Sequence, residues 1–142
     1  MRSDYSAMSS AKRQAGAAII EFAVTLPLFI AVLLATIDFS HYLNDRVVLS
    51  AAAYNGAKAG ARSASCGNQG WAQQAVSTTL DGMLSVPGTW SLSPAPQLSG
   101  PPEARRYMVS VQFEREPSMM SLFTANIAAF ETINVRGVAV CQ

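Results

Sequence analysis

The stretch from Ala17 to Ile37 constrains the chain more than any other feature of the sequence. Its only charged residue is Glu21, and no charge at all lies between Phe22 and Ile37. At about 1.5 Å per residue, a helix of this length spans about 31 Å, the thickness of the hydrocarbon core of a bilayer. The sequence therefore predicts a helix that crosses a membrane once.

Charges on either side of this stretch predict its orientation. Lys12 and Arg13 precede it, whereas the residues that follow it are of mixed sign: Asp38, His41, Asp45 and Arg46. Because positive residues favour the cytoplasmic side, we expect residues 1–16 to be a cytoplasmic leader and residues 38–142 to lie outside the cytoplasm. A cleaved secretory signal fits less well, since no small-x-small site follows the apolar segment.

Helical patterns continue beyond the apolar stretch. Apolar residues recur at spacings of three, four or seven up to about Arg62, so residues 38–64 are predicted to continue the long helix. After the turn-forming residues 66–70, an apolar stripe predicts a second helix from Trp71 to Leu84. That stripe comprises Trp71, Ala75, Val76, Leu80, Met83 and Leu84.

Strand patterns dominate the rest of the chain. The proline-rich residues 87–102 predict an irregular loop with one edge strand around residues 89–92. Residues 107–113 and 133–140 alternate between apolar and polar side chains, which predicts two strands. A bulge at residues 136–137 would turn Val138 and Val140 inward, and residues 118–129 are expected to form a short helix. The predicted fold class is α+β: a long N-terminal helix, a short helix and a small antiparallel sheet.

Small residues line one part of the long helix. Alanines recur every four residues at Ala53, Ala57 and Ala61, and glycines at Gly56 and Gly60. Such faces let another backbone approach closely. This face either packs against a neighbouring subunit or covers the chain's own domain, and the sequence leaves both interpretations open.

Two cysteines, Cys66 and Cys141, are the only ones in the chain, and they are not in a Cys-x-x-Cys arrangement. One disulfide is the simplest interpretation, and it would persist in an exported domain, where closing so long a loop contributes about 4 kcal/mol in the chain-entropy model. Two unpaired cysteines remain the alternative.

Several functional classes find no support in the sequence. The net charge is +1 and the basic residues are scattered, so we expect no nucleic-acid partner. No serine or threonine has a recognisable catalytic partner and no phosphate-binding loop is present, so we expect neither an enzyme nor a cofactor. Asp38, His41 and Asp45 share helical spacing, but a solvated cluster near the membrane explains them better than a metal site does.

The segment from Gly16 to Phe22 is the part of the sequence that indicates a function. A lone carboxylate at the edge of a bilayer costs a few kcal/mol and calls for a cation. Cleavage between Gly16 and Ala17 would create one, the new α-amino group of Ala17, which lies near the depth of Glu21 in a neighbouring copy. Further along, Pro27 removes a helical hydrogen bond to the carbonyl of Ala23, which predicts a kink inside the membrane.

Taken in order, these residues resemble the TadE-like pseudopilins of the Tad (Flp) pilus system, a branch of the type IV pili. The resemblance covers residues 13–62 and rests on Gly16 to Phe22, on the Leu-Pro pair ending at Pro27, and on the later Gly-Ala-Arg ending at Arg62. It implies cleavage after Gly16 by a prepilin peptidase, anchoring in the bacterial inner membrane and participation in pilus assembly, and hence in surface adhesion.

The resemblance also implies other pilin or pseudopilin subunits and the inner-membrane assembly platform as partners. By the same resemblance, Glu21 and Phe22 are expected to act in assembly. Major pilins of this system often carry tyrosine where this chain has Phe22, and they lack so large a domain after Arg62. Both differences favour a minor pilin or pseudopilin. The competing hypothesis is a signal-anchored periplasmic binding or adhesion domain that keeps its N-terminus and binds through the proline-rich loop.

Overall fold

The computed structural model describes residues 4–93, 95–116 and 132–141, which divide into two compact units, Met1–Ile37 and Asp38–Gln142. The fold is α+β, as predicted. Its elements are α1 (Asp4–Ala61), α2 (Gln69–Leu80), β1 (Gly88–Leu92), β2 (Gln97–Ser99), a single 3-10 turn (Pro102–Ala104), β3 (Arg106–Arg115) and β4 (Thr132–Val140). The helix predicted for residues 118–129 lies outside the described residues.

Helix α1 is longer than predicted at its N-terminal end. It begins at Asp4 and runs for 58 residues, through the stretch that we interpreted as a leader. The alanine, methionine, lysine, arginine and glutamine residues there have high helix propensity, and no glycine or proline interrupts them before Gly16. The helix ends at Ala61, where Ser63 Oγ donates to the carbonyl of Gly60 over 2.8 Å.

Helix α2 is shorter than predicted. Asn68 caps its first turn, because the side-chain oxygen accepts a hydrogen bond from the backbone N–H of Trp71. The predicted end at Leu84 is wrong, since Asp81 leaves the helical conformation and Gly82 takes a φ of 70°. The buried stripe consists of Ala72, Val76 and Leu80, whereas Trp71 and Met83, both assigned to it from the sequence, are exposed.

Strand β3 is the centre of the antiparallel sheet. β4 pairs along one side of it, from Arg106↔Val140 to Glu114↔Thr132. β1 and β2 share the other side, β1 opposite residues 111–115 and β2 opposite residues 106–108. The strands β1, β3 and β4 were predicted. β2 was not, because its three side chains are all exposed and show no alternation.

The bulge predicted in β4 is wrong. Pairing with β3 continues without interruption through Val109↔Gly137 and Met108↔Val138, so Val138 and Val140 point outward and are exposed. Gly137 takes the inward position instead, where a Cβ atom would overlap the backbone carbonyl of Ala53 on α1. The strand keeps its regular alternation because glycine lets the helix backbone lie directly on the sheet.

Small residues of α1 form the contact with the rest of the domain. A Cβ on Gly56 would lie 2.6 Å from Cγ2 of Val76 on α2, and one on Gly60 would overlap the ring of Tyr107 on β3. The alanines of this face are buried as well: Ala53, Ala57 and Ala61. Of the two interpretations that the sequence left open, the structure places this face against the chain's own domain.

A disulfide joins Cys66 and Cys141, whose Cα atoms lie 5.8 Å apart, and confirms the simpler of the two interpretations. Cys66, with a φ of 41°, lies in the turn after α1, and Cys141 directly follows β4. The bond therefore ties the end of the long helix to the last strand of the sheet. Its 75-residue separation corresponds to about 4 kcal/mol of loop-closure entropy removed from the unfolded chain.

We expect the Gly137→Ala substitution to reduce the free energy of unfolding by about 2 kcal/mol, because overpacking forces the helix away from the sheet. The measurement is thermal unfolding in detergent micelles, followed by circular dichroism. Gly70→Ala is the matched control: it lies in α2 with only the side chain of Asn68 nearby, so its effect should be neutral or stabilising. Equal melting of Gly137→Ala and the unchanged chain would contradict the close packing.

Candidate functional site: the exposed half of α1 and the Asp45 contact

Helix α1 carries an exposed apolar surface from Ala18 to Leu33. Every side chain from Ala18 to Leu33 is exposed, with Val24 70% and Leu28 68% exposed. A helix that is apolar all round is stable only where lipid or other helices surround it. Within the described residues, α1 is the one helix long and apolar enough to cross a membrane, by length and composition.

Glu21 is the exception on this surface. Its side chain is exposed among apolar neighbours that include Ile20 and Phe22, which are 68% and 64% exposed. In lipid, an ionised carboxylate is stabilised only by a cation or by reaching the headgroups. No ion pair of Glu21 occurs among the side chains that the structure describes.

Hydroxyl groups on the same surface are satisfied by the helix itself. Thr25 Oγ1 donates to the carbonyl of Glu21 over 2.9 Å, and Thr36 Oγ1 donates to that of Val32 over 2.8 Å. Such bonds to the preceding turn remove the cost of a free hydroxyl in lipid. Pro27 lies inside α1, two residues after Thr25. The kink that we expect at Pro27 stays a prediction.

Gly16 and Ala17, the residues of the expected processing site, lie inside α1. The peptide bond between them is therefore part of a helix rather than of a loop. Cleavage at this bond stays a prediction.

Asp45 forms a buried polar contact that sequence reasoning missed. Its carboxylate is fully buried, accepts a hydrogen bond from the backbone N–H of Ser85 over 2.8 Å and lies 3.9 Å from Nε of Arg115 at the end of β3. Asn44 Nδ2 adds a 2.6 Å bond to the hydroxyl of Ser85. These contacts join α1 to the loop after α2 and to the sheet.

Helical spacing would have revealed this position of Asp45. It lies four residues before Leu49 and seven before Ala52, both of which are buried, so it shares their face. We grouped it instead with Asp38 and His41 as a solvated cluster near the membrane. The cluster interpretation is wrong for Asp45, and no group of potential metal ligands occurs among the described residues.

Tyr107 is the other buried polar side chain of note. It is 1% exposed, and its hydroxyl has no hydrogen-bond partner among the described residues. Burial raises the pKa of the Tyr107 phenol, because the charged form loses its hydration. Its ring fills the space that Gly60 leaves open, so its role is packing.

A long apolar helix that continues into a small disulfide-closed α+β domain is compatible with a single-pass membrane anchor at the N-terminal end. A family model described as TadE-like protein matches residues 16–58 and confirms the resemblance. The match shows that this segment of the chain is similar to the TadE-like family. Comparisons with curated proteins and with solved structures each gave no match.

The matched segment contains most of the residues singled out from the sequence. Gly16, Ala17, Glu21, Phe22 and Pro27 all lie within residues 16–58. So do the small residues as far as Ala57, whereas Gly60, Ala61 and both cysteines lie beyond it. The match and the apolar helix together fit a membrane-anchored component of the pilus system.

We expect Arg115→Met to reduce the free energy of unfolding by about 3 kcal/mol, because it leaves the Asp45 carboxylate buried without its cation. Thermal unfolding in detergent micelles measures the effect. Arg136→Met, which removes the same charge from an exposed position on β4, is the control and should change stability by less than about 0.5 kcal/mol. Identical melting of the two variants would show that the Asp45–Arg115 contact does not stabilise the domain.

Proposed function

We propose that this chain is a pseudopilin or minor pilin, cut between Gly16 and Ala17 by a prepilin peptidase and then used in assembly of the Tad pilus, and hence in surface adhesion. The observation that carries the proposal is Glu21, an exposed carboxylate in the otherwise uncharged stretch from Ala17 to Ile37, within the TadE-like segment. Its role in this proposal is recognition between subunits, and the chain is a substrate of the peptidase rather than an enzyme.

Processing supplies the cation that Glu21 lacks. The new α-amino group on Ala17 is positive, and Glu21 lies four residues further along the chain, about 6 Å along the helix axis. When two such helices lie side by side in a bilayer, the amino terminus of one and the Glu21 of the other are at similar depth. Pairing them neutralises both charges in a medium of low dielectric, where their attraction is strong. The apolar side chains around them then pack between subunits.

The disulfide supports an extracytoplasmic position for the domain. Disulfides persist in oxidising compartments such as the bacterial periplasm and are rare in the cytosol. With Lys12 and Arg13 before the apolar segment, the proposed orientation has the N-terminus in the cytoplasm and residues 38–142 in the periplasm. The proposed partners are the prepilin peptidase, other pilin or pseudopilin subunits, the assembly platform and the lipid bilayer.

The competing function is a tethered binding or adhesion domain that keeps its leader. In that case α1 is only an anchor, and Glu21 reaches the cytoplasmic headgroups instead of a neighbouring subunit. The state of the N-terminus separates the two functions, since only a processed chain has an α-amino group next to Glu21.

We expect the membrane-bound chain to begin at Ala17 when the host's prepilin peptidase is present, and to keep Lys12 and Arg13 when the peptidase is deleted. Intact mass and N-terminal sequencing of the purified protein measure this directly. A Gly16→Leu variant, which puts a bulky residue at the site, should resemble the deletion strain. A chain that keeps its leader in both strains would favour the tethered domain.

We expect Glu21→Ala to leave processing and membrane insertion intact and to lower co-purification with pilus subunits more than tenfold, as for removal of one partner from a buried ion pair. Glu21→Gln, which keeps the shape without the charge, should show the same loss. Glu103→Ala, a substitution at an exposed acid of the domain, is the control. Normal co-purification of Glu21→Gln would mean that the charge has no role in assembly.

A further inference from the structure

Among the described residues, strand β1 pairs on one side only and leaves its other edge open. The backbone N–H of Ser93 donates to Ser110 and that of Glu116 donates to Pro87, so residues 87 and 93 face β3. Alternate residues of an antiparallel strand face the same neighbour. Residues 89 and 91 therefore also face β3, whereas Gly88, Trp90 and Leu92 direct their N–H and C=O groups to the opposite side. No other described strand pairs there.

A groove of about 570 Å³ runs beside this edge. Gly88 and Trp90 of β1 form one wall, and the last turn of α2 with the loop that follows it forms the other. That second wall includes Leu80, Leu84 and Val86. The volume falls within the range of roughly 300–1,000 Å³ that is usual for ligand sites.

Edge and groove together have the two parts that strand addition requires. An added strand gains main-chain hydrogen bonds from the edge, and its alternate side chains enter a pocket between that edge and a helix. Trp90 and Leu92 direct their backbone N–H and C=O groups away from β3, and their side chains are half-buried. These side chains therefore point toward the core-facing side of the sheet. An added strand would place alternate side chains in the groove on that side.

The lining of the groove indicates which side chains fit. Leu80, Leu84 and Trp90 offer apolar contact, and Asp81 is the one charged residue among the lining residues. Asp81 is exposed, and its carboxylate forms no ion pair with another described residue. Opposite charge across such a contact gives orientation and specificity. The fitting partner is an extended segment with an apolar side chain and, on the same face, a lysine or arginine.

We propose that the edge of β1 and the adjoining groove bind an extended peptide segment of another protein by strand addition, with a basic side chain of the partner beside Asp81. The site lies wholly within the second unit and uses neither Glu21 nor processing at Gly16. It is therefore independent of the proposed assembly function.

The test is an NMR titration of the full chain in detergent micelles with a five-residue probe peptide, lysine-threonine-valine-threonine-valine, blocked at both ends. We expect the amide signals of Gly88, Trp90 and Leu92 to shift more than those of Thr89 and Ser91, because only the former face the added strand. A peptide methylated on the amide nitrogens that face β1 should not bind. Unshifted edge amides, or equal binding of the methylated peptide, would overturn the proposal.

A charge-reversal pair tests the role of Asp81. Asp81→Lys should weaken binding of the probe by at least about threefold, as expected for an exposed ion pair turned into a repulsion. Glu103→Lys makes the same change at another exposed acid and should leave the affinity unchanged. Equal affinity of the two variants would overturn the assignment of a basic partner. The amide signals of Gly88, Trp90 and Leu92 could also shift when the protein concentration is raised without any peptide. That result would mean that a second copy of the chain occupies the groove, and it would overturn the proposal as stated.

Discussion

The close approach of α1 to the sheet is the contact on which the rest of the domain depends. At Gly137 the strand β4 has no side chain, so the backbone of α1 at Ala53 lies directly against it. Gly60 makes a similar space for the ring of Tyr107 on β3. Because the helix face from Ala52 to Ala61 consists largely of alanine and glycine, larger side chains from the sheet and from α2 fill the core beside it: Tyr107, Val109, Val111, Phe113 and Val76. Most of the large buried side chains therefore come from the sheet rather than from α1.

Two further interactions hold this arrangement at its ends. The disulfide connects the turn after α1 with the end of β4, and the Asp45 carboxylate joins the earlier part of α1 to Ser85 and Arg115. One is covalent and limits the unfolded chain, while the other is a buried polar contact that tolerates little change in geometry. Between them lies the small-residue face. Residues 45–66 are thus attached to the rest of the domain along their whole length, in contrast to residues 18–33, whose side chains are all exposed.

That contrast divides α1 into two parts. Residues 18–33 carry apolar side chains on all sides and a single carboxylate, a pattern compatible with a membrane span. The later part is apolar mainly on one face and carries the domain. The family match spans both parts, residues 16–58, and therefore covers the anchor and most of the helix face that packs on the sheet. The edge of β1 that no described strand pairs with, and its groove, lie outside the match.

Several features followed from the sequence because they depend on local patterns. The long helix, the three longer strands and the TadE-like segment each have a periodicity or a motif that a reader can find in consecutive residues. Strand β2, at three exposed residues, has no such pattern. The C-terminal end of α2 was placed too late because Met83 and Leu84 continue the apolar spacing, whereas Gly82 with a positive φ ends the helix.

What the sequence determined by itself is an apolar helix of bilayer length, because the hydrophobic pattern and the length can both be read from consecutive residues. The sequence also determined the fold class and the resemblance of the segment around Glu21 to the TadE-like family. Only the tertiary structure decided which partner each surface meets. The small-residue face suited another subunit as well as its own sheet, Asp45 suited solvent as well as a buried pair, and Arg136–Gly137 suited a bulge as well as a regular strand. In each case the deciding contact is with residues distant in the sequence, such as Ala53 against Gly137 and Asp45 against Arg115, and no local pattern records it.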